Sequence, residues 1–192
     1  MRLVLASTSR FRREILSRLG LPFEAIAPDC DETPLPGETA VATACRLARQ
    51  KAESLRAACP DALIIGSDQV ALLDGRQLGK PGTVAHAVDM LKQTRGRALT
   101  FHTALSLINT ASGRVQEQVD ITTVRMRDAS DAQIAAYLAR EPEAVHCAGG
   151  CMSEALGGAL IERIESTDPN ALVGLPLFAL VTLLKNEGVE VL

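Results

Sequence analysis

The chain has 192 residues, 47% of them hydrophobic and 22% charged, with a formal net charge of -3. That length is enough to bury a core, as one large domain or two small lobes, and the balance is ordinary for a globular enzyme. With one Tyr, four Phe and no Trp, the sequence offers neither the basic field nor the stacking surface that binds a nucleic-acid polymer. A small, locally neutralised anion is the better-matched partner.

The stretch Met1 to Ala6 is too short and too soon polar for a secretory signal, and no apolar run approaches the roughly 18 residues that span a bilayer. Cys30, Cys45, Cys59, Cys147 and Cys151 are an odd, irregularly spaced set. Reduced thiols and a cytoplasmic location follow as expectations, with no membrane partner.

In chain order, Leu3 to Ala6 reads as a short strand leading into Ser7-Thr8-Ser9. A helix is predicted from about Arg10 to Leu19, stopped at Gly20, where a left-handed residue is cheap. Phe23 to Ala27 reads as a strand and Asp29 to Gly37 as an acidic, proline-bearing loop. From Thr39 to Ala58, Val41, Ala44, Ala48, Ala52 and Leu55 recur at helical spacing. The apolar run Ala62 to Gly66 predicts a strand covered on both faces. Val70 to Leu73 continues extended, and Asp74-Gly75 is a hairpin signal.

Thr83 caps a helix bearing Val84, Ala87, Val88 and Leu91. Alternation from Leu99 to Leu107 predicts a strand, with Val115 to Met126 as its antiparallel partner. Ser130 and Gln133 form a capping box. A strand near Ala159 to Ile164 and a helix from about Pro176 to Asn186 close a mixed α/β fold, a single domain over residues 1–192.

Four groups of residues can carry chemistry. Ser7, Ser9 and Arg12 sit where a strand passes into a helix, so amide N–H groups, hydroxyls and a guanidinium fork can meet phosphate oxygens. A capped helix with solvated arginines would use the same residues. Asp68 follows the buried apolar run, at a strand's carboxyl end where ligands of α/β sheets collect; there it can hold a metal, polarise water or merely cap a turn. Lys80, in Leu78-Gly79-Lys80-Pro81, is outside any P-loop, because the leading glycine is missing and Pro81 stands in the Ser/Thr place. The pair Asp31-Glu32 can bind a hard cation through oxygen, and Lys51 lies beside the apolar helical stripe, where it can also simply snorkel. His102 and His146 lack ligand spacing.

These pieces resemble the Maf family of nucleotide pyrophosphatases over nearly the whole chain. The motifs are Leu5-Ala6-Ser7-Thr8-Ser9 with Arg12-Arg13, Asp31-Glu32-Thr33, Arg46 to Ala52, Gly66-Ser67-Asp68-Gln69, Gly79-Lys80-Pro81, Cys147-Ala148-Gly149 and Val173-Gly174-Leu175-Pro176. The resemblance implies a twisted sheet flanked by helices in an elongated, two-lobed α/β protein with a central cleft. It also implies a homodimer and a divalent cation, magnesium or a similar ion such as manganese or cobalt.

It implies Asp68 as proton acceptor, with Asp68 and Glu32 near the metal and Ser7, Ser9, Arg12, Lys51 and Lys80 at phosphate. Whether Asp68 acts mainly as base or as metal ligand stays open. The positions that choose the base hold Phe11, Gln69 and Glu154, which looks like the branch acting on 7-methyl-GTP. A methylated guanine is cationic and stacks on an aromatic face, and Glu154 can accept from its N1–H and N2–H2. A dTTP or UTP pyrophosphatase, a broader activity on modified nucleotides, and a non-catalytic regulator of cell division are the alternatives. Two departures stand out: Arg10 replaces a common proline, expected to affect only the start of the helix, and Cys151-Met152 replace the branch's usual Phe-Lys.

Overall fold

The computed structural model describes residues 1–33 and 35–192. Pro34, one of the prolines of the expected acidic loop, lies outside the described residues. Seven strands form one open mixed sheet: β1 (Arg2–Ala6), β2 (Glu24–Ile26), β3 (Ala62–Leu73), β4 (Arg76–Leu78), β5 (Ala98–Asn109), β6 (Val115–Met126) and β7 (Ile161–Glu165). Their order is β2-β1-β3-β5-β6-β7, with β4 paired to β3. Among the described residues six α-helices accompany them: α1 (Arg10–Ser17), α2 (Ala40–Glu53), α3 (Val84–Thr94), α4 (Asp131–Arg140), α5 (Pro169–Val173) and α6 (Leu177–Asn186). The chain forms two compact units, one of residues 1–69, 102–120 and 168–192, the other of 70–101 and 121–167.

In the first unit β1 runs parallel to both β2 and β3, with Leu5 opposite Ile65. Side chains alternate across a strand, and the core divides accordingly. Odd-numbered Leu3, Leu5, Leu63 and Ile65 pack with Ile15 and Leu16 of α1 and Leu177, Leu180 and Leu184 of α6. Even-numbered Val4, Ala6, Ala62 and Ile64 pack with Ala52 and Leu55 on the α2 side. Fully burying each such leucine or isoleucine contributes about 1.5–3 kcal/mol.

One glycine sets how closely α2 approaches. A Cβ on Gly66 would lie 2.0 Å from the Ala48 carbonyl oxygen and 3.0 Å from the Ala52 nitrogen. Only a hydrogen fits there, so the helix backbone seats directly on β3.

In the second unit Asp74 and Gly75 both have positive φ, 47° and 78°, the requirement of the tight hairpin turn that joins β3 to β4. Thr83 caps α3 through the His86 N–H, and Ser130 with Gln133 makes the capping box of α4. Tyr137 of α4 is buried and accepts a hydrogen bond from the Met152 N–H at 2.9 Å.

Two helix ends and one burial pattern differ from expectation. α1 ends at Ser17, and the chain reaches Gly20 through tighter i to i-3 bonds such as Gly20 N–H to Ser17 O. α2 ends at Glu53 rather than Ala58, where the Ser54 hydroxyl bonds the Lys51 carbonyl and competes with the helical ladder. β5 is buried continuously from Thr103 to Asn109 rather than alternating, as suits a strand with neighbours on both sides and cover on both faces. The short helix α5 was not legible; its signal is the Asp168-Pro169 pair, in which Asp168 caps through the Asn170 N–H and Pro169 stands at the first turn.

Candidate active site

β1 and β3 are parallel, so their carboxyl ends point the same way. β1 gives way to Ser7-Thr8-Ser9 at the level where β3 continues into Gly66 to Gln69. The strand alternation then sorts the motif: even-numbered Gly66 and Asp68 belong to the α2 side, odd-numbered Ser67 and Gln69 to the opposite side.

On the α2 side, Lys51 lies on the same helical face as Ala48 and Ala52, the residues seated over Gly66. The Lys51 ammonium reaches Asp68 Oδ1 at 2.5 Å and Glu32 Oε1 at 2.8 Å. Lys51 and Asp68 are only 5% and 8% exposed, so this pair is screened little by solvent. Glu32 is exposed at the rim. The loop that carries Glu32 is tied down by Arg46, which donates to both Glu38 carboxylate oxygens at 2.8 Å and to the Thr33 carbonyl at 3.3 Å. Hydrogen bonds from Arg46 hold the Glu38 carboxyl well below its ordinary value, at about 2.

On the α1 side, Ser9 is the N-cap and accepts from the Arg12 N–H, while Ser7 Oγ accepts from the Ser9 N–H at 3.1 Å. Each hydroxyl keeps its own proton for donation. Arg12 Nε donates to the Gly174 carbonyl at 2.8 Å. Burial lowers the Arg12 pKa, while the charges of Asp68 and Glu32 oppose that shift. Arg12 therefore belongs to the same electrostatic neighbourhood as the Lys51–Asp68–Glu32 cluster. The structure brings Ser7, Ser9, Arg12, Glu32, Lys51 and Asp68 together at the carboxyl end of the parallel strands.

Phe11 is half-buried, and the Arg10 guanidinium lies over its ring, 4.7 Å from the centroid. Arg10 thus does more than begin the helix, because its charge stacks on the ring expected to take a cationic base. Gln69 Nε2 lies 3.0 Å from Thr103 Oγ1 and from the carbonyls of Ala171 and Leu172. Its amide donors are committed inside the protein, which leaves the carbonyl end as the group to offer a ligand.

Lys80 and Glu154 belong to the second unit. Lys80 is exposed; the loop next to it is anchored by the Gly82 N–H on the Val145 carbonyl at 2.9 Å. Glu154 is exposed with the Ser153 hydroxyl 3.4 Å away. Before it, Cys151 and Met152 turn inward: the Cys151 thiol donates to Gly157 O, and Met152 is 4% exposed. Burial, then the charge of Glu154, pushes the Cys151 thiol up to about 12. It is a packing residue, not a reactive one. All five cysteines are free.

Two carboxylate oxygens converging on one cationic nitrogen make a donor set that suits a hard divalent ion. Such an ion commonly takes one or two protein carboxylates and fills its remaining positions with phosphate oxygens and water. Among the described residues no group of three or more His, Cys, Asp or Glu side chains could hold a metal; Asp68 and Glu32 are two carboxylates that meet at one point, on the Lys51 ammonium. Sequence reasoning assigned no role to Arg46, Ser67, Thr103 or Gly174. The bidentate Arg46–Glu38 pair could have been sought as an acid eight residues before a helical arginine; the others are tertiary contacts.

The profile of the family described as Maf-like protein matches residues 2–187. The chain is 65% identical to a 7-methyl-GTP pyrophosphatase of Chromobacterium violaceum over 100% of both chains. It is 56% identical to a 7-methyl-GTP pyrophosphatase of Neisseria meningitidis serogroup A, over 99% of this chain and 97% of that protein. Among solved structures, the Ham1 protein of Staphylococcus aureus is similar with a TM-score of 0.46 and 17% identity, covering 67% of this chain and 73% of that one.

Proposed function

This chain belongs to the Maf family, and from that premise we propose that it hydrolyses 7-methyl-GTP between its α and β phosphorus atoms. The products are 7-methyl-GMP and pyrophosphate. The observation that carries this reading is the Lys51–Asp68–Glu32 cluster, whose two carboxylates also act electrostatically on Arg12. Hydrolysis of an anhydride needs a proton acceptor for water and positive groups to take up charge on the leaving pyrophosphate.

Asp68 accepts the proton of the attacking water. Lys51 orients that carboxylate through its contact with Oδ1, and Arg12 offers its Nη groups to phosphate oxygens. The hydroxyls of Ser7 and Ser9 donate to the same anion, and Lys80 adds a point charge. Asp68 and Glu32 would hold a magnesium, manganese or cobalt ion together with phosphate oxygens. Such an ion supplies charge neutralisation and a more acidic water.

The base is chosen by Phe11, Gln69 and Glu154. The ring of Phe11 stacks with a cation, worth about 0.5–2 kcal/mol, and the Arg10 stack is a precedent within the protein itself. Glu154 accepts from the N1–H and N2–H2 edge of guanine, a donor pair that a pyrimidine lacks. The working protein is a cytoplasmic homodimer. Support for the compartment is the set of five free cysteines.

The deciding measurement is pyrophosphate release with magnesium from 7-methyl-GTP, dTTP and UTP in parallel. We expect 7-methyl-GTP to be cleaved at least about tenfold faster, a preference of roughly 1.4 kcal/mol. Equal or reversed rates would remove the substrate assignment and leave the family untouched.

A further inference from the structure

The motif Val173-Gly174-Leu175-Pro176 lies far along the chain from the phosphate and metal residues, yet it meets them in space. Gly174 ends α5 in a left-handed conformation, with φ 113°. Its carbonyl oxygen accepts from two side chains, Arg12 Nε at 2.8 Å and Ser67 Oγ at 2.9 Å. The Ser67 hydroxyl also lies 2.8 Å from the Ala104 carbonyl, so its single proton is shared between two acceptors. The neighbouring carbonyl of Ala171 is held by Thr103 Oγ1 at 2.9 Å and by Gln69 Nε2. Ser67, Gln69 and Thr103 thus fasten one short helix to the face of the sheet opposite Asp68. A second tie runs from α1, where Arg18 Nη1 donates to Asn170 Oδ1 at 2.7 Å.

Arg12 is therefore oriented by a main-chain carbonyl rather than by a carboxylate. A guanidinium has five N–H donors in a rigid fork, and fixing Nε fixes the direction of the other four. No salt bridge to Arg12 is present among the described residues, and the charges of Asp68 and Glu32 act on it through space. The position of Gly174 is also sterically restrictive. A Cβ there would stand 3.3 Å from Arg12 Nε and 3.7 Å from Nη2, in a φ region that side chains rarely tolerate.

We infer that Ser67 and Gly174 are positioning residues for the phosphate-binding fork of Arg12: the Gly174 carbonyl aims the guanidinium, and Ser67 holds that carbonyl in place. The claim rests on the reading of Arg12 as a phosphate ligand. It gives the Gly174 motif a role and explains why Ser67 must carry a hydroxyl beside Asp68.

A double-mutant cycle separates positioning from mere folding, because residues that act through one another give non-additive effects. Ser67→Ala is made in the native chain and in Arg12→Lys, where the charge remains but no Nε can bond the carbonyl. The readout is kcat/KM for 7-methyl-GTP with magnesium, alongside the thermal midpoint of each variant. The expected result is a loss of about tenfold on Ser67→Ala in the native background and less than about twofold in Arg12→Lys. The same factor in both backgrounds would overturn the positioning role.

Gly174→Ala is carried through the same cycle, so a poorly folding Ser67→Ala leaves the question decidable; it too should lose its effect once Arg12 is lysine. An unchanged kcat/KM for Arg12→Lys alone would strike the phosphate-binding reading itself, and the positioning with it. That failure is recognised by the single variant.

Discussion

In the first unit, Arg12, Lys51 and Asp68 are buried or half-buried and each is held by a named partner. In the second, Lys80 and Glu154 are exposed, and it is the surrounding backbone that is anchored. The difference fits two chemical duties. Stabilising charge that develops on phosphate depends on groups already oriented before reaction, in a site with little water. Choosing a base needs only that a group present the right donor or acceptor at the rim, and such groups can vary without disturbing the reacting centre. Substitutions at Arg12, Lys51 and Asp68 should therefore cost both stability and turnover, and those at Glu154 should mainly re-rank substrates.

The largest effect expected from this contrast is at Lys51. Lys51→Met leaves Asp68 buried without its ion-pair partner, and breaking such a pair costs roughly 3–5 kcal/mol. Denaturant unfolding should show a lower midpoint with an unchanged slope, together with loss of turnover. A native midpoint would mean that the cluster is not the organising feature of its unit.

Glu154→Gln should leave stability within about 0.5 kcal/mol, as for other exposed sites, and shrink the preference for 7-methyl-GTP over UTP by about tenfold. If the substrate ranking is unchanged, the exposed region does not read the base.

The smallest effect concerns pH and the Arg46–Glu38 tie. Hydrogen bonds from Arg46 depress the folded-state pKa of Glu38 from 4.5 to about 2. The contribution is thus present above about pH 4.5 and is lost as pH falls towards 2. Glu38→Gln should weaken the protein at neutral pH and flatten its acid unfolding within that window. Parallel acid-unfolding curves for the two proteins would contradict the assignment.

Local signals in the sequence were strong where they depend on neighbours along the chain. Asp74-Gly75 gave the hairpin because positive φ is demanded at both positions, and Ser130 with Gln133 gave a helix start. The run from Ala62 supplied the strand that carries Asp68. What sequence could not supply were relations across the chain. The seat of α2 on Gly66, which delivers Lys51 to Asp68, is visible only as a 2.0 Å approach in space. The Gly174 carbonyl under Arg12 joins residues 162 positions apart. Helix ends slipped where a serine hydroxyl competed with the ladder, as at Ser54. The family resemblance pointed to Glu32, Lys51 and Asp68, and the structure brings these three side chains into contact.

The most direct test of the account is turnover of 7-methyl-GTP by Asp68→Asn, measured on protein shown to be folded. Asparagine keeps the shape but removes both the proton acceptor and the anionic partner of Lys51. The account predicts that kcat falls by about 10²–10⁴ with a well-formed thermal transition retained. A folded Asp68→Asn protein that turns over at the native rate would contradict it.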